Sequence, residues 1–192
     1  MARLPYPDAQ QTDEKARTIL SQLPALNIMH MLSHSSDILE GVAVMGNALL
    51  ANGTLDPVLR EVAIIRTGVL HRSTYEVHQH ERIGRLLGMS DELLAAIHAG
   101  PDASAFTTLQ RQVMRLTDDI VANSRASDST FAPLASQLSH REMIELVICI
   151  GFYAMVSTLL NTLDIEVQAA DRQPKLTGNL KLTGNLKLTG NL

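Results

Sequence analysis

Ten residues, His71 to His80, read HRSTYEVHQH and place a serine, a tyrosine, a glutamate and three histidines in an otherwise rather apolar chain. Three settings suit so many titratable side chains: a solvated helix face, a metal site, or a general acid/base site. On a helix starting near Ser73, at about 100° per residue, Ser73, Glu76, Val77, His80, Gly84 and Leu87 share an arc of about 100°, with Ile83 at its edge. His78, Glu81, Arg82 and Arg85 fall on the opposite, solvated side, where Glu81 and Arg85 are spaced to pair one turn apart. Glu76 and His80 therefore lie inside the apolar stripe. An ionised carboxylate is costly there unless paired, and an imidazole one turn away is the nearest partner.

Three readings of that pair follow. It is a buried structural hydrogen bond, or its carboxylate is instead held by Arg72 at the helix start. It is part of a metal site, although Glu76 and His80 supply only two ligands and Ser73 is a poor third. Or it is an acid/base pocket, whose burial would shift both groups toward proton transfer near neutral pH. Glu61 adds a second acid inside the apolar segment LREVAIIRTGVL, twelve residues before Ser73. Two buried acids on adjacent helices point to a pocket; an ion pair of Glu61 with Arg66, or with a partner subunit, is the structural alternative.

The elements that must position these groups all read as helical. TLDPVLREVAIIRTGVL opens with Asp56 as N-cap and Pro57 at the first helical position, where its missing N–H costs nothing. The run Val62 to Ile65 that follows suits a central buried helix. LSHREMIEL carries a capping box, Ser139 with Glu142, before a long apolar helix. Ser90 caps GMSDELLAAI, and NIMHMLSHSSDILEGVAVMGNALLANG reads as a short helix, a break near Ser35 to Asp37, and a longer helix stopped at Asn52-Gly53. In FTTLQRQVMRLTDDIVANS, Leu109, Val113, Leu116 and Ile120 form one stripe. No alternating strand run appears. The expected layout is an N-terminal arm over 1–12, an all-α helical bundle over 13–166, and a tail over 167–192.

That tail ends in KLTGNL repeated without variation from Lys175 to Leu192, where Gly and Asn every six residues oppose a stable helix. The chain of 192 residues is 45% hydrophobic and 19% charged, enough to bury a core. A net charge of −4 without basic clusters argues against nucleic acid. The lone Cys149, in VICIGF, reads as a small buried hydrophobe, which suits a reducing cytoplasm. No apolar signal region opens the N-terminus. Met143 to Leu160 is long and apolar enough to raise a membrane span, but it stands alone, and a core helix of an oligomeric bundle is the expectation.

At REVAIIRTGVLHRSTYEVHQHERIGRLLGMSDELLAAI, supported by LNIMHMLSHSSDILEGVAVMGNALL and LSHREMIELVICIGFYAMVSTLLNTL, the sequence resembles the carboxymuconolactone decarboxylase / alkylhydroperoxidase D-like family. The resemblance implies an all-α bundle of the alkylhydroperoxidase D-like type. It also implies a homo-oligomer (dimer, trimer or hexamer), which would bury the apolar last helix. The peroxidase branch of that family uses a Glu followed by Cys-x-x-Cys-x-x-x-His, with a further His between the cysteines. Laid on this chain, those positions fall on Glu61, Ser73, Glu76 and His80, with the intervening His at Tyr75. Both thiols are replaced, and a hydroxyl and a carboxylate cannot run thiolate–disulfide chemistry.

Tyr-Glu with a following His instead resembles the decarboxylase-like branch, which implies cofactor-free, metal-free loss of CO2 from a small unsaturated lactone acid. The enzyme must then stabilise an enolate and deliver a proton. In that reading His80 is the proton donor, Glu76 its orienting partner, Glu61 a second relay, Tyr75 a hydrogen-bond donor to substrate, and Ser73 a further pocket residue. The helical wheel sets Tyr75 off the Glu76/His80 face. Two departures, Val77 where relatives carry an aromatic residue and an extra N-terminal helical region, keep the substrate itself from carrying over.

Overall fold

In the computed structural model, residues 1–8, 10 and 12–169 are described; they form nine helices and no strand. The KLTGNL repeats and most of the expected tail lie outside them. The contacts divide the chain into two units. One comprises Met1–Asn52 with the described residues from Ile165 onward, and the other Gly53–Asp164.

The first unit holds α1 (Glu14–Leu20), α2 (Asn27–Leu32) and α3 (Ser36–Leu50), with α1 and α2 each packed on α3. Asp13 caps α1 by accepting from the Ala16 N–H. Lys15 bridges Asp37 and Glu40 of α3 at 2.6 Å each. The returning segment is tied down where Asn27 donates to the Glu166 carbonyl at 2.7 Å and the Tyr6 hydroxyl to the Glu166 carboxylate at 3.2 Å. The expected break between two helices stands at residues 33–35.

The second unit is a bundle around α4 (Pro57–Leu70), with α5 (Thr74–Leu86), α6 (Asp91–Ala99), α7 (Thr108–Asn123) and α9 (His140–Thr162) packed on it. A short α8 (Asp128–Ala135), which periodicity did not announce, packs on α7 and α9. Its first turn is organised by Asp119, whose carboxylate accepts from the Ser127 N–H and from the Ser127 and Thr130 hydroxyls. Helix starts follow the capping chemistry: Asp56 accepts from the Val58 and Leu59 N–H groups, Ser90 from Leu93, and Thr107/Gln110 and Ser139/Glu142 form reciprocal boxes. Each such cap contributes on the order of 1 kcal/mol.

Helix α4 is buried without interruption from Leu59 to Gly68, as a central helix must be. The core joins it to Val113, Met114 and Leu116 of α7, to Leu94 and Ile97 of α6, and to Leu146 and Ile150 of α9. Helix α9 is long and apolar enough to cross a membrane by length and composition, yet it packs against α4, α5, α7 and α8 along one side. Glu145, part way along it, ties it to the α4 entry by accepting from the Thr54 and Leu55 N–H groups at 2.7 and 2.8 Å.

Candidate active site

The α4–α5 reversal sets the geometry. Arg72 turns the chain with φ 56, and the Ser73 N–H donates to the Gly68 carbonyl at 2.9 Å. Gly68 is needed here for close approach: a Cβ on it would meet Val77 Cγ2 at 3.1 Å and Glu76 Cβ at 3.4 Å. The first turn of α5 therefore lies directly on the last turns of α4. Antiparallel, the two helices bring Glu61 and His80 together across nineteen residues of sequence.

His80 is held at both ring nitrogens. Nδ1 lies 2.6 Å from Glu61 Oε2 and Nε2 lies 3.0 Å from Glu76 Oε1. On its other oxygen Glu61 accepts from Arg60 Nε at 3.2 Å. All four residues are buried, Glu61 completely. A neutral imidazole has one N–H, so either tautomer would leave a ring nitrogen lone pair facing a carboxylate oxygen; the imidazolium donates to both. Burial opposes that charge, but the Glu61 charge and hydrogen bond, with those of Glu76, outweigh it and raise the His80 pKa to about 9. With His80 protonated, two cations and two carboxylates balance. The cluster thus places a protonated imidazole between two carboxylates among buried residues.

Two further groups come from α9. The Tyr153 ring meets His80 edge-on, centroids 4.8 Å apart. Burial, then the Glu76 charge, raises its phenol well above the ordinary range. Cys149, one turn earlier, is likewise pushed up by burial and then by Glu61, so it is held as a thiol. At the other end of the cluster Ser73 occupies the N-cap of α5 but makes no side-chain cap bond. Its hydroxyl and that of Ser157 on α9 are buried without a hydrogen-bond partner.

Of the residues singled out from sequence, Glu61, Glu76 and His80 form one bonded chain, and Ser73 stands one turn before Glu76. Two expectations need correction. Glu61 pairs with neighbouring Arg60 rather than with Arg66, whose guanidinium is taken by Asp118 at 2.5 and 2.9 Å and by the Ile97 carbonyl. The buried face of α5 is wider than the wheel suggested, because Tyr75 and Gln79 are also buried. An aromatic ring that the sequence reading did not single out, that of Tyr153, packs against His80. Arg60 had a usable sequence signal, a cation adjacent to an acid within an apolar helix; Tyr153 had little beyond a polar-tipped ring in an apolar run. Among the described residues no group of three His, Cys, Asp or Glu side chains is arranged to hold a metal ion. The two carboxylates sit at opposite ends of the imidazole and do not converge.

Comparison with known proteins agrees with this architecture. Residues 36–119 match the family model of the carboxymuconolactone decarboxylase family. The chain resembles a crystal structure described as an alkylhydroperoxidase AhpD core, an uncharacterised peroxidase-related protein from Ralstonia eutropha. The TM-score is 0.77 at 19% identity, covering 91% of this chain and 98% of that one. An uncharacterised peroxidase-related protein from Silicibacter gives a TM-score of 0.76 at 15% identity, covering 88% and 92%. A putative antioxidant defence protein AhpD from Agrobacterium tumefaciens gives 0.65 at 16%, covering 72% and 95%. No curated protein matches significantly. The segment 36–119 thus resembles the carboxymuconolactone decarboxylase family, and the all-helical fold is that of the AhpD-like structures.

Proposed function

We propose that the protein is a cofactor-independent, decarboxylase-like lyase that acts on a small lactone or unsaturated acid by general acid/base chemistry. The observation carrying this reading is the imidazole clamped between two carboxylates, Glu61 and Glu76, at the positions where the peroxidase branch has its thiol chemistry. Loss of CO2 leaves an electron pair that delocalises into a conjugated carbonyl, and a proton must then reach carbon. Because both His80 nitrogens are occupied, the proton leaves through a carboxylate. Glu61 is fully enclosed and anchored by Arg60, so Glu76 is the member that faces substrate and His80 is the store that refills it. Tyr75 and Ser73 remain in the proposed pocket as substrate contacts.

The test is a panel of unsaturated lactone acids assayed for CO2 release by the purified protein. Release that fails in Glu76→Gln supports the reading; no release across the panel removes it. The peroxidase-related neighbours favour a second reading, hydroperoxide reduction. Its dithiol chemistry needs two thiols, and the chain has one cysteine, enclosed and held protonated. Hydroperoxide turnover lost in Cys149→Ser would promote it to first place.

The same proposal includes a cytoplasmic location, no nucleic-acid or membrane partner, and association of identical subunits. Exposed Ile144, Val147, Ile148 and Met155 form one stripe on α9 with the open Gly151 between them. Burying that stripe against a second copy would suit it; sedimentation of Ile148→Glu beside the wild type checks this.

A further inference from the structure

Ser157 is not assigned by the family match, and it lies where the proposed substrate should sit. On α9 it stands four residues after Tyr153, which packs on His80, and four before Asn161, whose amide donates to the His71 carbonyl at 2.7 Å. Residues at i, i+4 and i+8 share a helix face, so Ser157 falls midway between the two contacts, about 6 Å along the axis from each. The stretch bracketed on the α4–α5 side, from His80 back to His71, contains Glu76 and Ser73. Both serine hydroxyls are completely enclosed, and neither bonds to the other, to Glu76 or to any other group.

Buried hydroxyls nearly always find a partner, because a hydroxyl removed from water without one loses its hydrogen bonds. Serine at an N-cap normally uses its oxygen to accept from the helix N–H groups; Ser73 does not. Two unpartnered buried hydroxyls, at the N-cap of α5 and on the α9 face bracketed by the His80 and His71 contacts, suit a third group that accepts from both. The buried cations Arg60 and His80 are already paired with Glu61 and Glu76, so an added anion would be unbalanced. An uncharged carbonyl oxygen accepts from two hydroxyls without adding charge.

We infer that Ser157 and Ser73 together bind an uncharged carbonyl oxygen, of a lactone or ketone, and hold it beside Glu76. This rests on the acid/base reading of the cluster. In the proposed reaction the two hydroxyls would meet the oxygen on which charge develops as CO2 leaves.

The experiment is saturation-transfer NMR titration of the full-length protein with butenolide, a small unsaturated lactone, and with crotonate, its open-chain carboxylate counterpart. The wild type should bind butenolide in preference to crotonate. Ser157→Ala and Ser73→Ala should each weaken butenolide binding about fivefold or more, the loss expected for one hydrogen bond. Both should keep the unfolding midpoint, because each removes a hydroxyl without a partner. Ser157→Cys, isosteric but a weaker donor, supplies the same comparison if alanine disturbs packing. Absent butenolide binding, preference for crotonate, or affinity unchanged in both serine variants overturns the inference. Serine-dependent butenolide binding without CO2 release from the lactone-acid panel leaves this subsite standing and removes the lyase reading instead.

Discussion

Helix α4 carries two buried charge clusters less than two turns apart, and they are built differently. Arg66 meets Asp118 through two nitrogens and the Ile97 carbonyl through a third, tying α4 to α7 and to the end of α6. All three of its guanidinium nitrogens are engaged. The Glu61 cluster instead places a titratable imidazole between two carboxylates and has two unpartnered hydroxyls nearby. A structural ion pair fixes its proton count; a site that moves protons needs a member whose count can change. On one helix, then, Arg66 ties α4 to its neighbours and Glu61 holds His80.

The largest expected effect tests the second half of that contrast. His80→Gln and Glu76→Gln should each lower turnover of the true substrate by about 10²–10⁴-fold, the usual worth of a positioned acid or base. The double variant should lose little more, since groups acting as one unit are non-additive. All three should stay folded, because glutamine keeps a hydrogen-bonding group on the buried face. Near-wild-type turnover in both singles would make the cluster as structural as the Arg66 pair.

The next effect lies in stability. Arg66→Ala leaves Asp118 and the Ile97 carbonyl without their donor and should cost about 3 kcal/mol, the low end for a broken buried pair because the Asp118 side chain is partly solvated. Urea unfolding measures it. A loss below about 1 kcal/mol would mean that the bundle does not depend on this tie.

How much of this was legible beforehand depends on the range of the interaction. Local chemistry read well: Asp56 with Pro57, Ser90, and the Ser139/Glu142 box each mark a helix start by contacts within four residues. The Glu76–His80 pair read well for the same reason, one turn of one helix. Glu61 was visible as an acid in an apolar run, but its partner was not, since choosing between Arg60, Arg66 and His80 requires the α4–α5 crossing that Gly68 permits. Tyr153 and Ser157 were hidden because α9 is apolar on nearly every face, and periodicity cannot say which face meets α5. Short α8 was missed because its Ser127 N-cap makes no cap bond of its own and donates instead to Asp119 of α7, a contact eight residues back.

A further expected effect separates the two clusters by pH alone. His80 has a folded-state pKa raised to about 9, against about 6.5 when unfolded. A raised pKa means that the folded protein holds the proton more tightly, so this stabilisation is fully present below about pH 6.5 and is lost as pH rises through about 9. Between those limits the unfolded chain releases its proton while the folded one keeps it, and unfolding free energy should fall with pH. In His80→Gln that part of the slope should vanish. In Arg66→Ala it should persist at lower overall stability, because the contacts that hold the His80 proton do not involve Arg66. Urea unfolding of the three proteins at several pH values across the window decides the matter. A slope retained in His80→Gln would mean that the proton is held elsewhere, and that the ring between the two carboxylates is not the store on which the acid/base reading depends.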